Sequence, residues 1–465
     1  MNILELLQLS DKTALIQDGK RVTYTELLKS GLRFGGHLQS EGVKSGSNVL
    51  VFIPLSIELY IAMIGVWSIG ASAIFIDLSQ GSKFVSNSIE RLKPDVIVCD
   101  TITSFIRNIY PKMRGIKKLN IKSIGKPVEI EKVDSNHPAI LTFTSGTTGV
   151  PKIAVRTHGF LINQYNVLRG HIDFSEEHID LGTLPVFTLA NLAANMTTLL
   201  PDKSYRSKIN AEKLAKQMTH ECVTRVICSP SLMTNLLKHS SLPHLKNAYL
   251  GGSPVYPSIL EKIRKEVDLH IVYGSTEAEP ISSISWSSVS TEDKQKIASG
   301  EGLLVGQIVP EVECRIGENK EILVSGDTVL KGYLDGIGDS ENKIRFEDII
   351  WHKTGDAGFI DSQGNLWLLG RVSQAISDEK GTLYPFCVDC ILDSHFGIRS
   401  AIISQNGERI VVIEQGKVNH GAVLELLAPQ QISRVVEIKR IPMDKRHGAK
   451  VDYEKLRLYI QKPPG

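Results

Sequence analysis

Ile140-Leu141-Thr142-Phe143-Thr144-Ser145-Gly146-Thr147-Thr148-Gly149-Val150-Pro151-Lys152-Ile153 is the stretch around which this chain is organised. The β-branched run Ile140 to Thr144 is a strand signal. It leads straight into Ser145 to Gly149, where glycines permit unusual backbone angles and hydroxyls occupy three of five positions. Such a turn leaves backbone N–H groups free, and with three hydroxyl donors and the Lys152 ammonium they can surround a polyphosphate. The spacing is not that of a Walker loop: Lys152 comes three residues after Gly149, and Ile153 follows where Ser or Thr would meet magnesium. On composition alone, a plain surface loop is an equal reading.

The order of the residues adds a second argument. Thr144-Ser145-Gly146-Thr147-Thr148-Gly149-Val150-Pro151-Lys152 resembles the phosphate loop of the adenylate-forming superfamily, which comprises acyl-CoA synthetases, nonribosomal-peptide adenylation domains and luciferases. Members usually carry Gly after the lysine, where this chain has Ile153. The resemblance implies an α/β fold, with a large N-terminal domain of wound α/β sheets plus a β-rich subdomain, and a small mobile α+β C-terminal domain. It implies ATP and Mg2+ as cofactors.

A chain of 465 residues exceeds one ordinary domain, as that architecture requires. With 53 Lys+Arg against 51 Asp+Glu the formal charge is +2, which gives no footprint for nucleic acid or an anionic membrane. Six cysteines, and a start at Met1 to Leu6 without a basic leader, point to reduced thiols and a cytoplasmic protein. Cys387-Val388-Asp389-Cys390 has no second pair or histidine cluster and reads as structural rather than as a zinc site. Ile61 to Ile76 is broken by Gly65, Ser68, Gly70 and Ser72, so no membrane span is expected there. Leu181 to Leu200 contains Pro185, Asn191 and Asn195 and reads as buried or tunnel-lining.

From Met1 to Cys99 helix and strand patterns alternate as in a wound sheet. Thr23 and Glu26 can cap a helix carrying Tyr24, Leu27, Leu28, Leu32 and Leu38. Strands are expected near Val49, Ala73 and Val96, whereas Asp100 to Lys132 is basic and reads as an irregular connection. Later, Ala211, Leu214, Ala215 and Met218 mark one helix, and Ile259, Ile263 and Val267 another. Ile398 to Ser404, Ile410 to Glu414 and Val435 to Ile441 read as strands of a small α/β cap.

Further strings match the superfamily in order. Phe187 and Thr188 stand where an aromatic–histidine pair usually borders the acyl pocket, with threonine replacing the histidine. An α-amino acid substrate needs a buried anion for its ammonium, and adenylation domains for amino acids usually supply an aspartate just after the aromatic. None occurs between Pro185 and Pro201, which favours an apolar acyl chain. Gly251-Gly252 follows a predicted strand at a place that lets backbone approach adenine in the superfamily, although a turn has the same composition. Val272-Tyr273-Gly274-Ser275-Thr276-Glu277-Ala278-Glu279-Pro280 brings an aromatic, a hydroxyl and a carboxylate to the C-terminal end of a buried strand, where ligands gather in α/β sheets. By resemblance Tyr273 stacks on adenine beside Gly274, Thr276 bonds the α-phosphate and Glu277 holds magnesium. Glu279 belongs either to the site or to the solvated surface.

Thr354-Gly355-Asp356 and Arg371 resemble the ribose site, with Asp356 accepting from the sugar hydroxyls and Arg371 assisting; Asp at a hairpin mouth is otherwise a turn former. The family changes domain after this arginine. That implies an AMP-binding domain at 1–371, a cap at 372–465, and a hinge at Ser373, where Asp or Lys is usual. Lys450, in Arg446-His447-Gly448-Ala449-Lys450, is the candidate catalytic lysine, although the usual Gly directly before it is absent.

The chemistry implied is attack of a carboxylate on the α-phosphate of ATP, giving an acyl-AMP and pyrophosphate, with Lys450 and Thr276 stabilising the developing charge. The acyl group then passes to CoA or to the thiol of a separate carrier protein. Phe187-Thr188, the Tyr273 string, Gly381-Thr382-Leu383-Tyr384-Pro385 and the Lys450 ending look most like olefin-pathway β-lactone synthetases and related fatty acid–CoA ligases. In the former the substrate's own β-hydroxyl captures the acyl group. Thioester formation ranks first because it is commoner in the superfamily, and lactone closure is the alternative. A nucleotide-binding homologue without catalysis is a further reading; the retained Lys152, Thr276, Glu277, Asp356 and Lys450 speak against it.

Overall fold

The computed structural model describes residues 1–101, 103–106, 110–144, 152–203, 210–416, 418–443 and 451–461. The strand that leads into the glycine- and hydroxyl-rich stretch, Pro138–Thr144, pairs in parallel with Ser72–Phe75 and antiparallel with Lys152–Thr157. These belong to a sheet ordered Lys117–Asn120, Val96–Cys99, Asn48–Phe52, Ser72–Phe75, Pro138–Thr144, Lys152–Thr157. All pairs but the last are parallel. Side chains alternate between two cores: Val49 and Val51 face one, Leu50 and Phe52 the other.

The helix Tyr24–Ser40 begins with the expected reciprocal cap, the Thr23 hydroxyl accepting from the Glu26 N–H and the Glu26 carboxylate from the Thr23 N–H. It lies against Ile57–Ser68 at a distance set by glycine. A Cβ at Gly31 would meet Ile64 Cγ2 at 2.2 Å. The stretch read as an irregular connection contributes the edge strand Lys117–Asn120. One buried side chain, Leu119, suffices there, and two lysines cover the exposed edge, so no alternation was legible.

The second sheet runs in parallel through Thr197–Leu199, Ile179–Gly182, Arg225–Cys228, Asn247–Gly251 and Asp268–Ser275. It then turns antiparallel through Ala278–Ser285, Leu303–Ile308, Asn365–Arg371, Ile349–Ile360, Glu321–Gly326 and Val312–Ile316. The β-rich part therefore continues the second α/β sheet. The helix expected through Val267 stops at Lys262; Ile263 and Val267 are buried in the following connection, so their spacing records burial and not helical turns. Leu181 to Leu200 divides into strand, helix and strand, and among the described residues no helix is long and apolar enough to cross a membrane.

The C-terminal part carries its own sheet, Ser400–Gln405, Glu408–Glu414 and Arg434–Ile438, packed on the helix Pro385–Phe396. The same helix docks on Thr291–Ser299 of the larger part. Asp393 on it accepts from the Ser258 backbone N–H and hydroxyl, both at 2.7 Å. Cys387 and Cys390 lie buried on this helix as free thiols.

Candidate active site

The hairpin formed by Asp268–Ser275 and Ala278–Ser285 carries the stretch Tyr273–Glu277 at its turn, and the two ends of that stretch meet different partners. At the first, Tyr273 is buried and its hydroxyl donates to Asp356 Oδ2 at 2.9 Å. Asp356 and Arg371 face each other across paired strands, with Arg371 Nε 3.1 Å from Asp356 Oδ1 and Arg371 Nη1 donating to the Thr354 carbonyl at 3.0 Å. Burial and the Asp356 charge hold the Tyr273 phenol well above its ordinary range, so it stays a donor. Gly355, at φ +72°, leaves Arg371 room to pass.

A cavity opens beside this network. Gly252, Gly274, Tyr273, Asp356 and Arg371 line it from the larger part, and Phe386, Val451 and Tyr453 from the C-terminal part. Gly251 closes on the neighbouring strand: a Cβ there would stand 2.5 Å from the Val272 carbonyl oxygen. Gly252 takes φ +72°, which a side chain would strain. Asp389 also lines the cavity, and burial pushes its carboxyl up to about 8.

At the other end of this stretch, Thr276 lies in the turn. Glu277 Oε1 accepts from the Tyr333 hydroxyl at 2.9 Å, and its carbonyl accepts from the Leu330 N–H at 2.7 Å. Two ammoniums stand over the Tyr333 ring, Lys152 at 5.8 Å and Lys343 at 5.5 Å from its centre. Lys152 is buried, and its stem runs over Gly338, where a Cβ would meet Lys152 Cδ at 2.7 Å. Lys343 donates to the Leu330 carbonyl. Burial lowers the Lys343 ammonium to about 8 and the nearby His352 to about 4, keeping the imidazole neutral. Arg156, buried behind this end, donates to Thr142 Oγ1 at 3.3 Å and attracts both Glu277 and Glu279. Glu279 is pushed up by burial, so it is not simply a solvated acid.

Phe187 and Thr188 lie on the helix Pro185–Ala193 and do not line the cavity described above. Phe187 packs with Tyr165, Tyr249 and Val272. The buried Thr188 hydroxyl lies close to that of Tyr60, and neither closes a hydrogen bond among the described residues. The helix is anchored by Asn191, which donates to Asp180 Oδ2 at 2.7 Å and accepts from Arg225. Arg225 Nε in turn reaches Asp180 Oδ1 at 2.8 Å, so the carboxylate bonded to Asn191 is committed to a buried guanidinium. Ser373 is exposed in the short Val372–Gln374 turn between the two parts. Ser145, Gly146, Thr147, Thr148 and Lys450 lie outside the described residues, and Thr144 is described in its backbone alone.

Tyr333, Lys343, Arg156 and Tyr453 escaped the sequence reading. Lys331-Gly332-Tyr333 lies in a stretch of short turns and Lys343 opens the short strand Lys343–Phe346, and nothing local distinguishes those lysines from surface ones.

The sequence pattern of the AMP-binding enzyme family matches residues 6–334. Over 94% of its length the chain is 25% identical to an olefin β-lactone synthetase of Xanthomonas campestris pv. campestris, covering 90% of that protein. It is 28% identical over 84% of its length to a 2-succinylbenzoate–CoA ligase of Bacillus licheniformis, covering 83% of it. Among solved structures, ATP-bound MatB from Rhodopseudomonas palustris superposes with a TM-score of 0.83 at 20% identity, over 99% of both chains. The o-succinylbenzoate coenzyme A synthetase of Bacillus subtilis, in complex with ATP and magnesium ion, superposes at 0.81 with 21% identity over 98% of both chains. A family pattern spanning most of the chain, over a two-part α/β fold of the same kind, makes this protein a member of the AMP-binding enzyme family of adenylate-forming ligases.

Proposed function

We propose that the chain uses ATP to convert a fatty or hydroxy fatty acid into its acyl-AMP, releasing pyrophosphate, and then passes the acyl group to the thiol of CoA or of a carrier protein. One observation carries this reading: the stretch Tyr273–Glu277 at one hairpin turn presents a buried tyrosine joined to an aspartate–arginine pair at its start, and a carboxylate beside two lysines at its end. That arrangement suits a nucleoside followed by its phosphates.

In this reading Asp356 accepts from the ribose hydroxyls while Arg371 orients it. Tyr273 and Gly274 flank the adenine, with Gly251 and Gly252 letting backbone approach it. Thr144 to Thr148 and Lys152 surround the phosphates, Thr276 bonds the α-phosphate, and Lys450 brings its ammonium to the carboxylate and the α-phosphoryl group. The chemistry is positioning two anions that repel, and stabilising charge on the phosphoryl oxygens, without a protein nucleophile.

The residues at Glu277 fit a magnesium ion. Tyr333 occupies one carboxylate oxygen and the other remains available, while no group of three or more acidic, His or Cys side chains stands ready to hold a metal among the described residues. Magnesium commonly binds with one or two carboxylates and completes its shell from phosphates and water. Bound here it would neutralise phosphate charge.

The commitment of Asp180 to Arg225 supports an acid without an α-ammonium, and the apolar neighbours of Phe187 support an acyl chain. The domain limits 1–371 and 372–465, with Ser373 at the pivot, belong to the same proposal, as does cytoplasmic placement. A second reading, closure of a β-hydroxy acid to its β-lactone, is favoured by Thr188 in place of the histidine and by the likeness to an olefin β-lactone synthetase.

The test is Mg2+-dependent pyrophosphate release from ATP across fatty and β-hydroxy fatty acids, with and without CoA, with products identified by mass. A CoA thioester is the expected result. A product lighter than the hydroxy acid by one water, formed without CoA, would select the lactone reading; no pyrophosphate from any acid would sink both.

A further inference from the structure

Lys152 and Lys343 pose a problem of charge. Both ammoniums stand within 6 Å of one tyrosine ring, at 5.8 and 5.5 Å. Lys152 is 4% exposed. Among the described residues neither ammonium has a carboxylate within ion-pairing distance, although Glu277 and Asp339 attract Lys343 from further away. Glu277 is held by the Tyr333 hydroxyl, and Asp339 Oδ1 accepts from the Tyr333 N–H at 2.9 Å. Cations withdrawn from water and gathered without direct counter-charges are unfavourable unless an anion completes the set.

Lys343 is equipped to meet one. An ammonium has three donors, and a single bond, to the Leu330 carbonyl, is formed among the described residues. That bond and the contact with the Tyr333 ring hold the side chain near Glu277, on the same ring that Lys152 contacts from the other sheet. Tyr333 thus joins three groups: it bonds the carboxylate through its hydroxyl and carries both lysines on its ring.

We propose that Lys343 is a second phosphate-binding cation, acting with Lys152 on the β- and γ-phosphates of the nucleotide and on the departing pyrophosphate. The proposal rests on the reading of the site as an ATP pocket. It places Lys343 at the polyphosphate end and away from the Asp356 corner, so it separates ligands by their phosphates: ATP and pyrophosphate use Lys343, and AMP does not.

The test is calorimetric binding of ATP, AMP and inorganic pyrophosphate, with Mg2+, to the full chain and to Lys343→Gln and Lys343→Arg. Lys343→Gln should weaken ATP and pyrophosphate by about 10-fold to 100-fold, the range for one charge-assisted hydrogen bond, and leave AMP within about twofold. Lys343→Arg should restore most of the loss. Equal weakening of ATP and AMP by Lys343→Gln would overturn the proposal, because Lys343 would then serve only to brace Tyr333 and Leu330. Undiminished ATP binding by Lys343→Gln would overturn it too. A wild-type chain that binds neither ATP nor AMP would overturn the underlying pocket reading, an outcome distinct from both. Thermal unfolding of each variant separates loss of binding from loss of fold.

Discussion

The two ends of the Tyr273–Glu277 stretch handle charge in opposite ways. At the Asp356 end every charge has a partner within the protein: the carboxylate meets Arg371, accepts from Tyr273, and the guanidinium is tied to the Thr354 carbonyl. At the Glu277 end a carboxylate bonded to a neutral tyrosine shares its surroundings with two lysines that form no ion pair among the described residues. A balanced network suits a neutral group that arrives with hydroxyls, because adding charge there would disturb pairs already made. An unbalanced one suits a polyanion. The contrast teaches that one pocket can be preorganised at one end and completed by its ligand at the other.

The largest effect should come from the proposed catalytic lysine. Lys450→Ala is expected to lower acid-dependent pyrophosphate release by about 10²-fold or more while ATP still binds, as loss of a charge-stabilising donor at the reacting centre would. Single-turnover kinetics beside calorimetry checks this, and a loss of binding equal to the loss of rate would return Lys450 to the surface.

Next, Asp356→Ala should weaken ATP and AMP alike, by about 10-fold to 100-fold, because it removes an acceptor both nucleotides use and strands Arg371. Lys152→Met should instead weaken ATP by about tenfold and spare AMP. If both substitutions gave the same ATP-to-AMP ratio, the division of the Tyr273–Glu277 stretch into two electrostatic ends would fail.

The smallest effect concerns the C-terminal rim of the cavity. Burial raises the Asp389 carboxyl to about 8, against about 4 for an ordinary carboxyl. Below pH 4 both folded and unfolded chains hold the proton and nothing is lost. As pH rises from about 4 to about 8 the unfolded chain ionises while the folded one does not, so stability falls across that window and levels off above it. Asp389→Asn removes the ionisation and can still accept from Ser400 at the oxygen that does so now. Its melting temperature should exceed wild type by roughly 2 to 4 °C at pH 8.5, with a smaller gain at pH 5. A gain independent of pH would show that Asp389 stays ionised.

Much of the fold was legible because its signals are local. The Thr23–Glu26 cap needs only two residues three apart, and the buried strands near Val49, Ala73 and Val96 announce themselves by β-branched runs. Lys117–Asn120 was missed because an edge strand needs little apolar surface, and the helix expected through Val267 was overdrawn because buried loop residues can mimic helical spacing. In the site, Tyr273, Glu277 and Asp356 stand in ordered strings of sequence. Tyr333 and Lys343 do not.

By itself, the sequence determined the family, through an ordered set of short strings, together with the residue types offered to a nucleotide and the want of an aspartate after Phe187. Each is a matter of neighbouring residues, which chain order alone expresses. Only the tertiary structure decided which charges cancel. Asp356 finds Arg371 across a strand pair, Asp180 finds Arg225 across a sheet, and Lys152 and Lys343, 191 positions apart, gather on one tyrosine. Coulombic partnership depends on distance in space and on exclusion from water, and both come into being when the two sheets close on one another.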